Sequence, residues 1–500
     1  MRGGDVFCST FFVARESKPA IQDPAEKGFA LSAWGEKSDS LQARGESALL
    51  CDFIARGLLR GTGAVSSGAV HAAAAADARA TRVRLIVLSL ITLATVLNYL
   101  DRAVMGVAAP SMTKELGISP AMMGIIFSAF SWTYAIAQVP GGMMLDRLGT
   151  RITYALSLGV WSLFTLMHGF AQNVASLLTF RLGLGVAEAP CFPANSRVLS
   201  TWFPQQERAR ANGVYSVGQY AGLAFFSPLL FWIVADFGWR SLFLICGTIG
   251  IAYALVWYAS YREPHDSKLV GQAELDHIAA GGGLGHRGAQ VPFSWDLARR
   301  ILAKRQILGA SIGQFCGNST LVFFLTWFPT YLATERHMDW LKSGFFAVMP
   351  YIAATVGVLI GGVVSDALIR RTGSANVGRK LPIVAGLLLA STIVLADFVS
   401  SNQLVILVMS IAFFGQGMVN LGWTLISDVA PKPLIGLTGG VFNFCANLAG
   451  IVTPLVVGFI LQATGSFYFA LAYIAVLGLI GAAAYIFIIG DVRRVELEEI

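Results

Sequence analysis

From Leu85 onward the chain is a series of apolar stretches of about 20 residues, separated by short polar segments. A helix of about 20 apolar residues crosses the roughly 30 Å hydrocarbon core of a bilayer. Because backbone N–H and C=O groups in lipid need internal partners, these stretches favour helices. We predict twelve membrane-spanning helices, near residues 85–109, 121–145, 153–171, 175–196, 210–234, 240–260, 306–333, 341–365, 382–399, 403–427, 437–462 and 467–489.

Residues 1–80 have no sustained apolar stretch. The longest candidate, Ala48 to Leu59, is interrupted by Asp52 and Arg56, so it fits neither a signal peptide nor a span. We expect a disordered N-terminal extension. An over-called start codon, with translation beginning near Val70, is the alternative, and a regulatory tail is a third reading.

The charges of the short loops predict the orientation in the membrane. One set of loops carries most of the cations, namely Arg147, Arg151, Arg197, Arg208, Arg210, Arg370, Arg371, Arg379 and Lys380. The intervening loops are almost bare, and the segments 172–173 and 401–402 have no cation. By the positive-inside rule the first set is cytoplasmic, and both termini are then cytoplasmic as well.

The two halves of the chain resemble each other. Gly213-Val-Tyr-Ser in span five recurs as Gly440-Val-Phe-Asn in span eleven. We therefore expect a six-helix half at 81–260, a cytoplasmic linker at 261–305 with a short amphipathic helix at 273–280, a second half at 306–490 and a tail at 491–500. A six-helix repeat with a midplane site between the halves is typical of transporters.

The composition excludes several classes of protein. The chain of 500 residues is 55% hydrophobic and 13% charged, against about 25% charged in soluble domains. A soluble enzyme, a disordered protein and a nucleic-acid binder are excluded, in spite of a net charge of +7. The six cysteines include no CxxC pair, and we expect no disulfide framework, metal site or cofactor.

Four ionisable residues lie well inside predicted spans: Asp101 and Arg102 in span one, and Arg181 and Glu188 in span four. Each costs about 2.5–3.5 kcal/mol at the centre of a helix. They must therefore face a water-filled cavity or one another. Arg181 and Glu188 are seven residues apart and share one helix face. Spans one and four would bring two cations within reach of two carboxylates.

This group suggests how an anion and a proton are coupled. An anionic substrate that takes over an arginine leaves the neighbouring carboxylate without its partner, and the carboxylate then binds a proton more readily. We expect Arg102 to hold the substrate carboxylate, with Glu188 as its alternate partner and proton site. Asp101 would be the second proton site, and Arg181 would tune or gate the group. A purely structural ion-pair network between the two spans is the alternative.

Half two has no mid-span charge, but it has six amides, a hydroxyl and a tryptophan that could contact a substrate. They are Gln314, Asn318, Ser319, Gln416, Asn420, Trp423, Asn443 and Asn447. Such groups suit a hydroxyl-rich substrate, because donors and acceptors can be matched one for one. In half one, Tyr99, Tyr134, Gln138 and Gln219 are the corresponding candidates. For each single amide, a hydrogen bond between helices is the alternative.

One motif resembles a family signature. The loop after span two reads Gly142-Met-Met-Leu-Asp146-Arg147-Leu-Gly149-Thr-Arg151, with an echo at 362–366 after span eight. It resembles the signature loop of the major facilitator superfamily. This resemblance implies an all-α membrane protein of the major facilitator fold, with twelve helices in two six-helix halves. It also implies gating roles for Asp146, Arg147 and Arg151.

Most of 85–497 is similar to the sugar-acid transporters of the anion:cation symporter branch of that superfamily. The matching stretches are Asn98-Tyr-Leu-Asp-Arg-Ala, Phe127-Ser-Ala-Phe-Ser-Trp, Glu188-Ala-Pro-Cys-Phe-Pro, Phe323-Phe-Leu-Thr-Trp-Phe-Pro and Ile435-Gly-Leu-Thr-Gly-Gly-Val-Phe-Asn. The resemblance implies the same roles for Asp101, Arg102 and Glu188. It favours five substrate contacts, namely Tyr99, Tyr134, Gln219, Trp423 and Asn443.

The resemblance implies a monomeric, proton-coupled importer of D-galactonate, or of a closely related aldonate or aldarate, in the bacterial inner membrane. Asn420 departs from the galactonate pattern, in which a small hydroxyl residue stands at this position. The exact sugar acid therefore stays open. A symporter for another carboxylate, such as a hexuronate or an aromatic acid, is one alternative, and a non-transporting membrane sensor is another. No nucleophile–base pair points to an enzyme.

Overall fold

The computed structural model describes residues 81–283, 294–431 and 434–496, so the expected extension 1–80 lies outside the described residues. Helices make up nearly all of the described chain. Their bounds are α1 (Val83–Leu116), α2 (Pro120–His168), α3 (Val174–Glu188), α4 (Cys191–Trp202), α5 (Gln205–Ser260), α6 (Gln272–Ala280), α7 (Trp295–Ala303), α8 (Arg305–Thr326), α9 (Trp340–Thr372), α10 (Ala375–Ser391), α11 (Asn402–Val419), α12 (Gly422–Val429), α13 (Ile435–Thr464) and α14 (Phe467–Ala483). Short 3₁₀ and π turns extend several of these ends.

Ten helices within the described residues are long and apolar enough to cross a membrane. The all-helical membrane protein expected from the hydropathy pattern is confirmed. One of the ten, Gln205–Ser260, has 56 residues, which is about twice the length of a span. The segment expected as span three, 153–171, lies mostly in the second part of α2 and is not among the ten.

Two glycines break the long helices. Gly149 in α2 has φ 75° and ψ 170°, and Gly238 in α5 has φ 79° and ψ 166°. This conformation is open essentially to glycine alone, because a Cβ atom would be strained there. Gly149 therefore separates the expected spans two and three, and Gly238 separates spans five and six. Gly149 is the glycine of the signature loop.

The core has three parts. The largest apolar cluster contains residues of both halves, such as Phe127 and Phe231 from the first and Phe324 and Val457 from the second. Each half has a further cluster of its own, at the end that carries the basic loops. We call this end the basic end. The halves thus share a core at one end and have separate cores at the other.

Close backbone contacts agree with this arrangement. A side chain at Gly124 in α2 would lie 2.5 Å from the carbonyl oxygen of Pro454 in α13, and one at Gly106 in α1 would collide with the carbonyl of Leu325 in α8. Toward the basic end of the same paired helices, nothing lies within 4 Å of the Cβ positions of Gly142 or Gly440. The molecule is closed at the end opposite the basic loops.

The expected short helix in the linker is confirmed as α6, Gln272–Ala280. Its Glu274 side chain is fully buried and accepts hydrogen bonds from the backbone N–H groups of Val83 (3.0 Å) and Arg84 (3.1 Å). The first N–H groups of a helix have no partner inside the helix, so this carboxylate caps α1. The backbone N–H of Gln205 donates to the carbonyl of Gly281 (2.8 Å), which ties the linker to α5 as well.

Candidate functional site

The centre of the candidate site is an ion pair between α1 and α3. The Nε and Nη2 atoms of Arg102 donate to the same oxygen of Glu188, Oε1, at 2.9 Å and 2.5 Å. Glu188 is fully buried, and 18% of the Arg102 side chain is exposed. The other oxygen, Oε2, is buried and has no hydrogen-bond partner among the described residues. The predicted pairing of these two residues is confirmed as a contact.

Four aromatic rings enclose the guanidinium of Arg102. Its central carbon lies 5.4 Å from the ring centroid of Tyr99, 5.0 Å from Phe130, 5.1 Å from Tyr134 and 6.0 Å from Phe192. Ring faces attract cations at these distances, and the attraction grows when water is excluded. Arg102 therefore keeps its charge in a mostly apolar setting while it faces a single carboxylate.

The local sequence explains how these groups meet. Tyr99 and Arg102 are three residues apart on α1, and Phe130 and Tyr134 are four apart on α2, so each pair shares a helix face. Glu188 is the last residue of α3, which was expected to run on through 196. The helix is interrupted there because Pro190 has no N–H to continue the hydrogen-bond ladder.

Glycines in α3 allow the close approach that completes the group. A side chain at Gly185 would collide with the backbone of Phe130 in α2, and one at Gly183 would collide with the ring of Phe164. These two glycines therefore serve the packing of α3 against α2. The close contact between α2 and α3 also places the Phe130 ring 5.8 Å from the guanidinium of Arg181.

Arg181 does not form a second ion pair of the kind seen at Arg102. Its Nε donates to the backbone carbonyl of Ile126 at 3.4 Å, and the residue is 4% exposed. The ring of Phe130 contacts both guanidinium groups, at 5.0 Å and 5.8 Å. The sequence predicted correctly that Arg181 and Glu188 share a buried face. It did not predict that an aromatic ring would contact both arginines.

Asp101 has a partner that the sequence did not reveal. Its Oδ2 atom accepts a hydrogen bond from the indole N–H of Trp161 at 2.7 Å, and the residue is 6% exposed. Asp101 therefore lies apart from the Arg102–Glu188 contact, although it is the neighbour of Arg102 in the chain. The expectation that two cations would meet two carboxylates holds for one pair.

The sequence also did not predict a buried histidine on α2, the helix that contains Trp161. His168, at the end of α2, is 1% exposed and lies between the rings of Phe180 and Phe243. Its Nδ1 atom lies 2.6 Å from the carbonyl of Phe164, which assigns the ring proton to that nitrogen. The sequence gave one indication that His168 would be buried: it is seven residues from Trp161, so both side chains lie on one helix face.

The remaining predicted contacts lie on other helices. Gln219 on α5 is buried, whereas Trp423 on α12 is 38% exposed and packs edge-on against Phe442. Asn443 on α13 donates to the side chain of Gln138 on α2 at 3.4 Å, one helical turn beyond Tyr134. This hydrogen bond joins the two halves. Neither Gln219 nor Trp423 has a hydrogen bond to the Arg102 group among the described residues.

The three residues of the signature loop lie at the basic end. Asp146 pairs with Arg197 of α4, with 3.5 Å between the charged atoms. Arg147 is exposed and lines a surface groove with residues of α2. Arg151 donates to the carbonyl of Tyr258 at 2.9 Å and lies over the ring of the same residue. The Asp146–Arg197 and Arg151–Tyr258 contacts both lie within the first half.

The signature loop, the paired halves and the buried ion pair all point to one family. Residues 91–454 match the model of the Major Facilitator Superfamily. The chain belongs to the major facilitator superfamily. As a member of this superfamily it is a multi-pass membrane protein. Its four described cysteines are free, and no group of three or more His, Cys, Asp or Glu in the described ranges is placed to hold a metal ion.

Several superfamily members with assigned names are similar over nearly their whole length. The chain is 41% identical over 441 residues to the probable galactarate/D-glucarate transporter GudP of Escherichia coli (strain K12), which covers 86% of this chain and 98% of that protein. It is 44% identical over 425 residues to the D-galactonate transporter of Escherichia coli O6:H1, with 84% and 98% covered. The probable galactarate/D-glucarate transporter GudP of Bacillus subtilis is 39% identical over 430 residues, with 84% and 94% covered.

Solved structures of superfamily members share the fold. A bacterial homologue of the human lysosomal transporter Spinster, in an inward-facing and occupied conformation, superposes with a TM-score of 0.60. The identity is 20%, and the match covers 81% of this chain and 96% of that one. At this identity the likeness concerns the fold alone.

Proposed function

We propose that the protein is a proton-coupled symporter that imports a sugar acid, D-galactonate or a closely related aldonate or aldarate, across the bacterial inner membrane. It is a transporter and not an enzyme. The observation that carries the proposal is the contact of Arg102 with Glu188. A partly exposed guanidinium that holds a fully buried carboxylate is suited to exchange that partner for the carboxylate of a cargo.

Coupling follows from the geometry of the pair. Both Arg102 donors reach Oε1 of Glu188, so a cargo carboxylate that takes those donors leaves Glu188 as an uncompensated buried anion. Protonation of Glu188 removes this cost. Asp101, held by Trp161, is the second proton site, and Arg181 tunes the field across the Phe130 ring. Tyr99, Tyr134, Gln219, Trp423 and Asn443 are the proposed substrate contacts.

The proposed topology has twelve spans with both termini in the cytoplasm. Ten candidate helices become eleven when Gln205–Ser260 is divided at Gly238, and the second part of α2 is the twelfth. The halves are then 81–260 and 306–490, joined by the linker 261–305 and followed by the tail 491–500. The basic end is cytoplasmic by the positive-inside rule, so the described state is inward-facing.

Alternating access then requires the basic end to close. Asp146 pairs with Arg197 within its own half. Asp366, in the segment 362–366 that resembles the signature loop, pairs with Arg379 within the other half. We propose that these pairs rearrange when the two halves approach, and that Arg147 and Arg151 take part in the closed gate. The protein works as a monomer, because each half supplies one wall of a single site.

The test is uptake by the purified full-length protein in lipid vesicles. Labelled D-galactonate, glucarate, a hexuronate and an aromatic acid are offered with and without an inward-directed proton gradient. We expect a sugar acid to accumulate above its external concentration only when the gradient is imposed. Equal uptake without the gradient contradicts proton coupling. Accumulation of another acid in its place contradicts the substrate class, and transport of none contradicts transport itself.

A further inference from the structure

We infer that the cargo is a sugar acid with a single carboxylate, an aldonate, and that an aldarate with carboxylates at both ends is discriminated against. This inference rests on the proposed function and narrows the range of substrates that it allows. Two independent features carry it: the number of guanidinium groups that a cargo can reach, and the chemistry of the opposite wall.

The first feature is that only one of the two mid-span arginines is placed to accept a cargo carboxylate. The Arg102 side chain is 18% exposed, and its contact with Glu188 can be exchanged. Arg181 is 4% exposed, and its Nε atom is used by the carbonyl of Ile126. The ring of Phe130 also lies beside both guanidinium groups, so Arg102 is the more accessible of the two to a cargo carboxylate.

The balance of charge gives the same answer. Two arginines and two carboxylates sum to zero when all four are ionised, and protonation of Glu188 frees one positive charge for one cargo carboxylate. A second cargo carboxylate needs a second free cation. Protonation of Asp101, the proposed second proton site, would leave a second positive charge in the group. No guanidinium is released there by exchange, since Asp101 accepts from the neutral indole of Trp161, and this charge stays on Arg181, which is 4% exposed.

The second feature is that the side of the site formed by the second half, which we call the opposite wall, has no charged residue. The middle portions of its six predicted spans are 311–326, 347–361, 384–394, 406–423, 441–458 and 470–483, all within the described ranges, and they contain no Asp, Glu, Lys, Arg or His. A carboxylate placed against this wall would be buried without a counter-ion, which is strongly unfavourable. Neutral hydroxyl groups carry no such cost.

Two amides of this wall form a hydrogen-bonded chain with one amide of the first half. The Asn447 side chain donates to the side-chain oxygen of Asn443 at 2.9 Å, and Asn443 donates to Gln138 across the interface between the halves at 3.4 Å. The Nε2 atom of Gln138, where the chain ends, is buried and has no partner among the described residues. Amides offer both donors and acceptors, which matches a terminal alcohol of a sugar acid better than an anion.

The experiment compares three ligands that differ only at the far end of the same carbon chain. D-Galactonate has a neutral alcohol there, galactarate has a carboxylate, and the monoamide of galactaric acid has a neutral group of the size of the carboxylate. Each is measured at pH 7 as an inhibitor of labelled D-galactonate uptake by the full-length protein in vesicles, and direct uptake is measured for the two acids.

We expect galactarate to inhibit at least about ten-fold more weakly than unlabelled galactonate, which corresponds to about 1.4 kcal/mol, and the monoamide to resemble galactonate. Galactarate that inhibits and enters as well as galactonate overturns the inference but leaves the proposed function intact. A monoamide as weak as galactarate also overturns it, because size and not charge would then be the cause. Uptake of neither acid overturns the proposed function itself.

Discussion

Arg102 directs two nitrogens to one oxygen of Glu188, and the second oxygen of that carboxylate is buried without a donor among the described residues. One oxygen of this carboxylate is therefore used by Arg102, and the other is not. A proton that binds at Oε2 therefore does not need to displace the arginine first. When the arginine leaves, the same proton prevents a bare buried anion, so cargo binding and protonation favour each other.

The first prediction concerns this carboxylate. Glu188→Gln keeps the size of the side chain but cannot gain or lose a proton. We expect exchange of labelled for unlabelled galactonate to persist, and accumulation driven by a proton gradient to disappear. Both are measured in vesicles. Accumulation that survives in this variant places the coupling proton elsewhere. Glu263→Gln, in the linker, is the control and should leave both assays unchanged.

The second prediction concerns the arginine. Arg102→Lys keeps the charge but loses the planar pair of donors that reach Oε1. We expect the apparent affinity for galactonate to fall at least about ten-fold, which corresponds to about 1.4 kcal/mol. The half-saturation concentration for uptake measures this. Arg299→Lys, on the exposed surface of α7, is the matched control. An unchanged affinity in Arg102→Lys would mean that the cargo carboxylate binds at another group.

The third prediction concerns the hydrogen bond from Trp161 to Asp101. Trp161→Phe keeps an aromatic ring but removes the N–H that stabilises the ionised carboxylate. Asp101 should then hold its proton more tightly. We expect the pH at which uptake is half-maximal to shift upward, as measured from pH 5 to 9. Trp295→Phe changes an indole that is 79% exposed, and its pH profile should match that of the unmodified protein. Identical profiles for both variants would remove Asp101 from the coupling scheme.

The fourth prediction concerns the backbone of the signature loop. Gly149→Ala places a Cβ atom at φ 75° and ψ 170°, which costs about 1–3 kcal/mol. Thermal unfolding in detergent should occur at a lower temperature, and the yield of folded protein should fall. Gly142→Ala, seven residues earlier, has nothing within 4 Å of its new methyl group and is the control. Equal melting temperatures for the two variants would contradict the argument that Gly149→Ala strains the backbone.

The fifth prediction concerns the contact between the linker and α1. Glu274→Ala leaves the N–H groups of Val83 and Arg84 without their acceptor, which costs about 1–3 kcal/mol for each buried group left unpaired. We expect a lower melting temperature than that of Asp276→Ala, which changes an exposed carboxylate on the same helix. If the two variants have the same melting temperature, Glu274 is not needed to anchor the linker.

The sequence predicted the parts of this site that follow from chain geometry. The spacing of Arg181 and Glu188 requires a shared helix face, and the cost of mid-span charge requires partners for Arg102. It did not predict Trp161 as the partner of Asp101. That contact depends on how α1 and the second part of α2 cross, which the hydrophobic pattern along one helix does not encode. The placement of Phe130 against both arginines depends in the same way on packing at Gly185.

The aromatic rings around Arg102 have one more consequence. Dissolved ions weaken the attraction between charges that face water, and they act much less on a pair shielded by protein. Four rings surround the guanidinium, and its acidic partner has no exposed surface. The strength of this interaction should therefore hardly vary with the ionic strength of the medium, and the resting charge state of the pair should be the same in dilute and in concentrated salt.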